Sequence, residues 1–213
     1  MIYRVQHITN KIKIIRDMKP QSLTIHSTGN LKSTAQNERD NLNRPDNTST
    51  TGFHIVVDDK EAIECIPLDK VAYHAGDGAY GPGNSTSIAM EICESGDRRE
   101  TLANAAKTAA KVLHERGWEV DKMYRHYDWS GKICPRILSD NNWEGWSKFK
   151  MEVQKELDKL KAASKASNDK PSPWAKEAWE WGIENGITDG SRPKEPATRE
   201  EIITMLYRFK GAK

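Results

Sequence analysis

His126 and Cys134 stand in the stretch YRHYDWSGKICP (124–135), with seven residues between them. A neutral imidazole and a thiolate both ligate metals, and a cysteine set among polar residues, Gly and Pro is not explained by apolar packing. The pair alone is a weak metal signal, because ligands roughly three to five residues apart are commoner in compact zinc sites. Asp128 competes as a ligand, and a hydrogen-bonding role beside the ligands suits it equally. Two further residues of suitable chemistry lie upstream: His26 in SLTIHST and Glu91 in SIAMEIC. Each falls on the less apolar face of an alternating segment. An unpaired buried carboxylate is costly, so Glu91 needs a partner. If the two segments are strands of one sheet sharing that face, His26 and Glu91 converge, and a loop over 124–135 supplies His126 and Cys134. Two imidazoles and one thiolate would leave the fourth position of a tetrahedral zinc ion open to water. Lys132, by residue type alone, reads as a solvated loop lysine.

The elements that must position these groups follow from periodicity. SLTIHST (22–28) alternates, with Leu23 and Ile25 on one face, and predicts a half-buried strand. A polar helix is expected near 33–43. FHIVV, the turn-like DDK and EAIECI predict a hairpin over 53–66. YHAGDGAYGPGN (73–84), with four glycines and a proline, reads as a loop. SIAMEIC (87–93) returns to strand. A long helix follows, with Asp97 and Glu100 as a capping box, an apolar stripe from Leu102 to Leu113, and Gly117 at its end. Another helix spans about Trp143 to Leu160, carrying Trp146, Phe149, Val153 and Leu157 on one face. This mixture predicts an α/β layer architecture over residues 1–160. Residues 161–172 have linker composition, and residues 173–213 restart helical patterning as a second, small two-helix domain.

Composition narrows the classes. At 36% hydrophobic and 30% charged, the chain reads as soluble and globular. Thirty-three basic against 31 acidic side chains, a net +2, argue against a dedicated polyanion binder and so against a nucleic-acid partner. No apolar window of ~18 residues is present, so no membrane span is expected. The N-terminal stretch has scattered charge and no continuous apolar core, which predicts no secretory signal. Three cysteines cannot close a disulfide framework. Cys65 and Cys93 lie in strand patterns and read as small core residues. Seven Trp are many for this length; burial is the default reading and exposed sugar-stacking the alternative.

The segments TIHST, FHIVVDDKEAIECIPLDKVAYHAGDG, GPGNSTSIAMEIC and RHYDWSGKICP, in that order over residues 1–160, resemble the zinc-dependent N-acetylmuramoyl-L-alanine amidases of type 2. That family is related to phage lysozyme-amidases and animal peptidoglycan recognition proteins. The resemblance implies a mixed central β-sheet flanked by helices and one Zn2+ per chain, with His26, His126 and Cys134 as ligands. It implies that Glu91 and Lys132 are catalytic, and that the bond cut joins muramic acid to L-alanine of the peptidoglycan stem peptide. The loop 73–84 would form one wall of the groove, its glycines admitting close approach of substrate. His74 and Asn84 are its candidates for substrate-binding or supporting roles. The chain departs from some relatives at Phe53, where they carry a catalytic tyrosine; without that hydroxyl, the work falls to Glu91, with His54 as the next candidate base. A non-catalytic peptidoglycan-binding protein is the alternative, and Cys134 argues against it, since loss of that ligand typifies the non-catalytic relatives.

The tail has its own signals: Ser172–Pro173 as a helix start, Gly186 as a helix end, and Thr198 with Glu201 as a second capping box. Its ENGITDG and TREE resemble one S-layer homology motif, which implies attachment to secondary cell-wall polymers. The whole reads as a wall-lytic enzyme of a Gram-positive bacterium or its phage, with no signal peptide, expected to accumulate in the cytoplasm and act at the wall after release.

Overall fold

Six strands form one sheet in the order β1-β4-β3-β5-β2-β6 in the computed structural model, which describes residues 1–211. The strands are β1 (Ile2–Val5), β2 (Ser22–Ser27), β3 (Ile55–Val57), β4 (Glu61–Glu64), β5 (Ser87–Ile92) and β6 (Met123–Arg125). Only β3 and β4, the expected hairpin, pair antiparallel; every other neighbour is parallel. The mixed sheet flanked by helices is thus as expected.

β2 departs from the half-buried strand its alternation predicts. It lies inside the sheet between β5 and β6, and both its faces are covered, as interior strands of largely parallel sheets require. Its polar face is satisfied internally. Thr24, fully buried, shares a hydrogen bond with Ser87 Oγ (2.5 Å) and accepts the Trp129 indole N–H (2.8 Å). The edge strands β1 and β6 carry no clear alternation, being only four and three residues long.

Helices close the two faces. α1 (Ala35–Asn43) is capped by Thr34 and buries Ala35 and Leu42 in a cluster with Ile8, Val56, Ile63, Cys65 and Cys93, against which Phe53 packs. Phe53, half-buried, thus has a packing role at this position. α3 (Arg98–Glu115) buries Ala105, Ala109, Val112 and Leu113. Asp97 accepts the Glu100 N–H at 3.0 Å, and Gly117 takes the positive φ (65°) that lets the chain leave. The loop 73–84 ends in a short helix, α2 (Pro82–Thr86), and a second short helix, α4 (His126–Ser130), follows β6 directly.

α5 (Asp140–Asn168) carries the expected buried stripe of Trp146, Phe149, Val153 and Leu157. It starts through three left-handed residues, Asn141, Asn142 and Trp143, and runs helical to Asn168, through much of the stretch expected as linker. Lys- and Ala-rich sequence is compatible with both, since such residues are good helix formers even without an apolar stripe. The chain divides into two units, the first spanning Met1–Asp158 and the second beginning at Lys159. In the second, α6 (Lys176–Glu184) and α7 (Arg199–Gly211) meet through Trp181 and Phe209, with ring centroids 6.1 Å apart. Thr198 and Glu201 form the expected reciprocal cap (2.7 and 3.1 Å), and Gly186 has a positive φ (67°) past α6. Burial holds only in part as the default for tryptophan: Trp146 is buried, Trp118, Trp129, Trp143 and Trp179 are half-buried, and Trp174 and Trp181 are exposed. A unit of two short helices has too little interior to enclose indoles.

Candidate metal centre

The parallel register of β2 and β5 sets His26 and Glu91 directly opposite one another. β6, the other neighbour of β2, ends at Arg125 and hands His126 to the first position of α4. His126 thus enters from a helix start rather than the loop expected for 124–135. Gly131 terminates α4 with a positive φ (75°), and the chain returns so that the Tyr127 N–H donates to the Cys134 carbonyl at 3.1 Å.

His26, His126 and Cys134, all buried, thereby come together, with one ligand atom from each inside 4.8 Å of the others. His26 Nδ1 lies 3.1 Å from His126 Nδ1 and 3.7 Å from Cys134 Sγ. A tetrahedral zinc ion with Zn–N ≈ 2.0–2.1 Å and Zn–S ≈ 2.3 Å holds its donors about 3.3 Å (N···N) and about 3.6 Å (N···S) apart. The donor set fits that ion in both identity and spacing.

Proton placement points the same way. His74 Nε2 faces the Ser87 carbonyl at 3.2 Å, and a carbonyl only accepts, so that nitrogen carries the proton. His74 Nδ1 must then accept from His26 Nε2–H at 3.0 Å, which leaves His26 Nδ1 a bare lone pair. The His126 ring hydrogen-bonds the Ala75 backbone, which leaves its Nδ1 turned towards His26. Two imidazole lone pairs so close together repel unless a cation lies between them. Burial holds all three imidazoles below their ordinary range, His74 at about 3, and Lys132 adds to the effect at His26 and His126. They remain neutral, as ligation demands. Burial also pushes the Cys134 thiol up to about 11, so the thiolate forms here only with a cation beside it.

Glu91 is half-buried, yet its Oε2 is enclosed and has no hydrogen-bond partner among the described residues. Burial pushes its carboxyl up to about 8, towards the range of a group that takes and returns a proton near neutrality. Lys132 is exposed and lines a cleft of about 460 Å³ with Thr51, Tyr73, His74, Asn84 and His126. His74 and Asn84 do border this cleft, but their polar atoms serve the protein. Asn84 Oδ1 accepts the N–H groups of His74 and Ala75 (2.7 and 2.8 Å), and its Nδ2 donates to the Gly78 carbonyl (2.9 Å). Two of the loop's glycines make room inside the protein: a Cβ at Gly81 would collide with Asp77, and one at Gly83 would lie 2.6 Å from Ala75 Cβ and 2.8 Å from the Trp129 ring of α4. Asp128 pairs with Arg125 at 2.5 Å and is turned to that partner rather than to the cluster.

The backbone partners Ser87 and Ala75 could not be anticipated, because a carbonyl acceptor exists at every residue. His54, the alternative base, is fully buried and locked as a neutral tautomer: its Nδ1 accepts the Ala89 N–H (2.8 Å) and its Nε2 donates to the Lys70 carbonyl (2.7 Å). Burial lowers it to about 4. Below pH ~6.5 the unfolded chain binds a proton at this histidine that the folded chain refuses, so the contribution is intact above pH ~6.5 and is lost as pH falls towards 4. The loss is on the order of 3 kcal/mol at its limit. The thermal midpoint is therefore expected to fall between pH 6.5 and 4, and less so in His54→Gln, which keeps an acceptor and a donor without a titrating ring. Equal slopes in both proteins would show that the acid sensitivity lies elsewhere.

Three clustered donors, a buried carboxyl opposite one of them and a cleft at their side can do the chemistry of a mononuclear metal hydrolase. Similarity to known proteins narrows this class. The sequence profile described as N-acetylmuramoyl-L-alanine amidase matches residues 16–137. The N-acetylmuramoyl-L-alanine amidase CwlA of Bacillus subtilis (strain 168) is 38% identical over 211 residues, covering 94% of this chain and 74% of CwlA. XlyB of the same organism, of the same name, is 43% identical over 161 residues, covering 73% of this chain and 49% of XlyB. The structure of the catalytic domain of XlyA superposes with a TM-score of 0.65 at 33% identity, covering 72% of this chain and 99% of that one. PlyL gives the same TM-score and identity over 72% of this chain and 98% of its own. The chain belongs to the N-acetylmuramoyl-L-alanine amidase family.

Proposed function

We propose that the chain is a peptidoglycan hydrolase that cleaves the amide bond between N-acetylmuramic acid and L-alanine of the stem peptide, with zinc held by His26, His126 and Cys134. The observation that carries this is the pair of imidazole nitrogens 3.1 Å apart, with a thiol beside them and Glu91 on the adjoining strand. Bound there, zinc would supply a water acidified from pKa ~15.7 towards about 7 and a Lewis acid for the carbonyl. Glu91 accepts the attacking water's proton and returns it to the departing L-alanine amine. The enclosed, unpartnered Oε2 suits a group that must hold and release a proton. Lys132, at the cleft rim, places its ammonium against the negative charge developing on the carbonyl oxygen. Cys134 acts as a ligand and not as a nucleophile. Mass spectrometry of digested wall tests the reading: new L-alanine amines without new reducing sugars are expected. Reducing ends without amines would make the protein a glycosidase.

The domain reading is residues 1–160 as the catalytic domain, 161–172 as the connection and 173–213 as a module that attaches to cell-wall polymers. The tail's resemblance to an S-layer homology motif supports this reading. So does the exposure of Trp174, Trp181 and Tyr207, which leaves aromatic faces open to a ligand. The solved catalytic domain of XlyA, which is matched over 99% of its length by 72% of this chain, supports treating residues 1–160 as a unit that folds alone. This fragment is expected to hydrolyse soluble muropeptide at the full-length rate but to sediment less with intact walls. Equal sedimentation of the two proteins would remove targeting from the tail. Among the described residues no helix is long and apolar enough to cross a membrane.

A further inference from the structure

We propose that Glu94 and Arg136 are a positioning pair that sets where the Cys134 thiol stands relative to His26, and thereby how tightly the cluster holds its metal. The proposal rests on the reading of His26, His126 and Cys134 as a metal site. Glu94 lies three residues past Glu91, just beyond β5, with its side chain 1% exposed. Arg136, two residues past Cys134, grips it as a fork: Nε donates to Oε1 at 2.9 Å and Nη2 to Oε2 at 2.5 Å. The same Oε1 accepts the Gly29 N–H at 3.0 Å, and Ser27 also hydrogen-bonds the carboxylate. The Arg136 N–H in turn donates to Ser27 Oγ at 3.2 Å.

Ser27 is the residue after His26, so one buried carboxylate ties together the exit of β2, the exit of β5 and the segment carrying the thiol. On its other side Cys134 is held by the Tyr127 N–H, next to His126. The thiol is thus suspended between the immediate neighbours of the two histidines. Gly131, Lys132 and Ile133 are exposed, so packing does little to place Cys134 from that direction. Burying a carboxylate is a costly way merely to fasten a surface segment. A planar guanidinium against a carboxylate fixes angle as well as distance, and a thiolate ligand needs both.

Arg136→Lys separates positioning from folding, because it keeps a cation beside Glu94 while removing the fork. In the full-length protein, zinc affinity measured against a competing chelator is expected to fall about 10–100-fold, the usual cost of losing a group that orients a ligand. The thiolate-to-cobalt charge-transfer band of the Co2+-loaded protein should weaken or shift. The thermal midpoint of the metal-stripped protein should stay within a few degrees of the parent. Glu94→Gln should weaken zinc binding in the same range. Parental zinc affinity and an unchanged cobalt band in Arg136→Lys would overturn the proposal. So would zinc loss accompanied in both variants by unfolding of the metal-stripped protein, since the pair would then hold the fold rather than the thiol. A parent that binds no zinc overturns the metal reading itself, and the positioning pair with it.

Discussion

His26→Ala, His126→Ala and Cys134→Ser are each expected to strip the metal and reduce wall hydrolysis to that of the metal-free protein. Each change removes one of three donors that lie within 4.8 Å of one another. Two donors would leave a zinc ion weakly held and over-hydrated. The activity loss should exceed the ~10–100-fold typical of groups that only orient ligands. Cys134→Ser is the most discriminating of the three, because it keeps the shape of the side chain and exchanges a thiolate for a poor ligand. Asp128→Asn should leave metal content unchanged, as Asp128 is engaged by Arg125. Elemental analysis of purified protein beside a wall-clearing assay checks all four. Active parental protein without a transition metal would sink the mechanism.

Glu91→Ala should keep both zinc and wall binding while losing about 10²–10⁴-fold in turnover, the range of a general acid–base group. The residue sits opposite His26 without being one of the three clustered donors, so metal content and turnover should part company. Lys132→Ala should lose about 10²–10³-fold by the same assay, as removal of one oxyanion donor does. His54 is poorly placed to take over from Glu91, because the Ala89 N–H and the Lys70 carbonyl occupy both its ring nitrogens. Phe53, packed on the Ile8–Val56–Cys65 cluster, has no hydroxyl to offer. Wall clearance at the parental rate by Glu91→Ala would show that the proton passes through another group.

Much of this was determined by the sequence alone, and the reason is that side-chain direction is a local property. Alternation in SLTIHST and SIAMEIC marked both strands and put His26 and Glu91 on comparable faces, and DDK between two apolar runs marked the β3–β4 hairpin. Caps did the same for α3 at Asp97 and for α7 at Thr198. His26, His126 and Cys134 were separable from other histidines and cysteines by strand face, polar neighbours and family resemblance. Tertiary structure alone decided how they meet. His26 lies 100 residues from His126 and 108 from Cys134. Their approach depends on β2 lying between β5 and β6 in parallel register, and a shift of one residue would turn every side chain to the other face. It also decided that β2 is covered on both sides and that His74 supports His26 through the Ser87 carbonyl. The same holds for the helix that continues through Lys161–Asn168 and for the exposure of Trp174 and Trp181. Those outcomes depend on which distant surface or backbone acceptor arrives at a residue, and local periodicity carries no record of that.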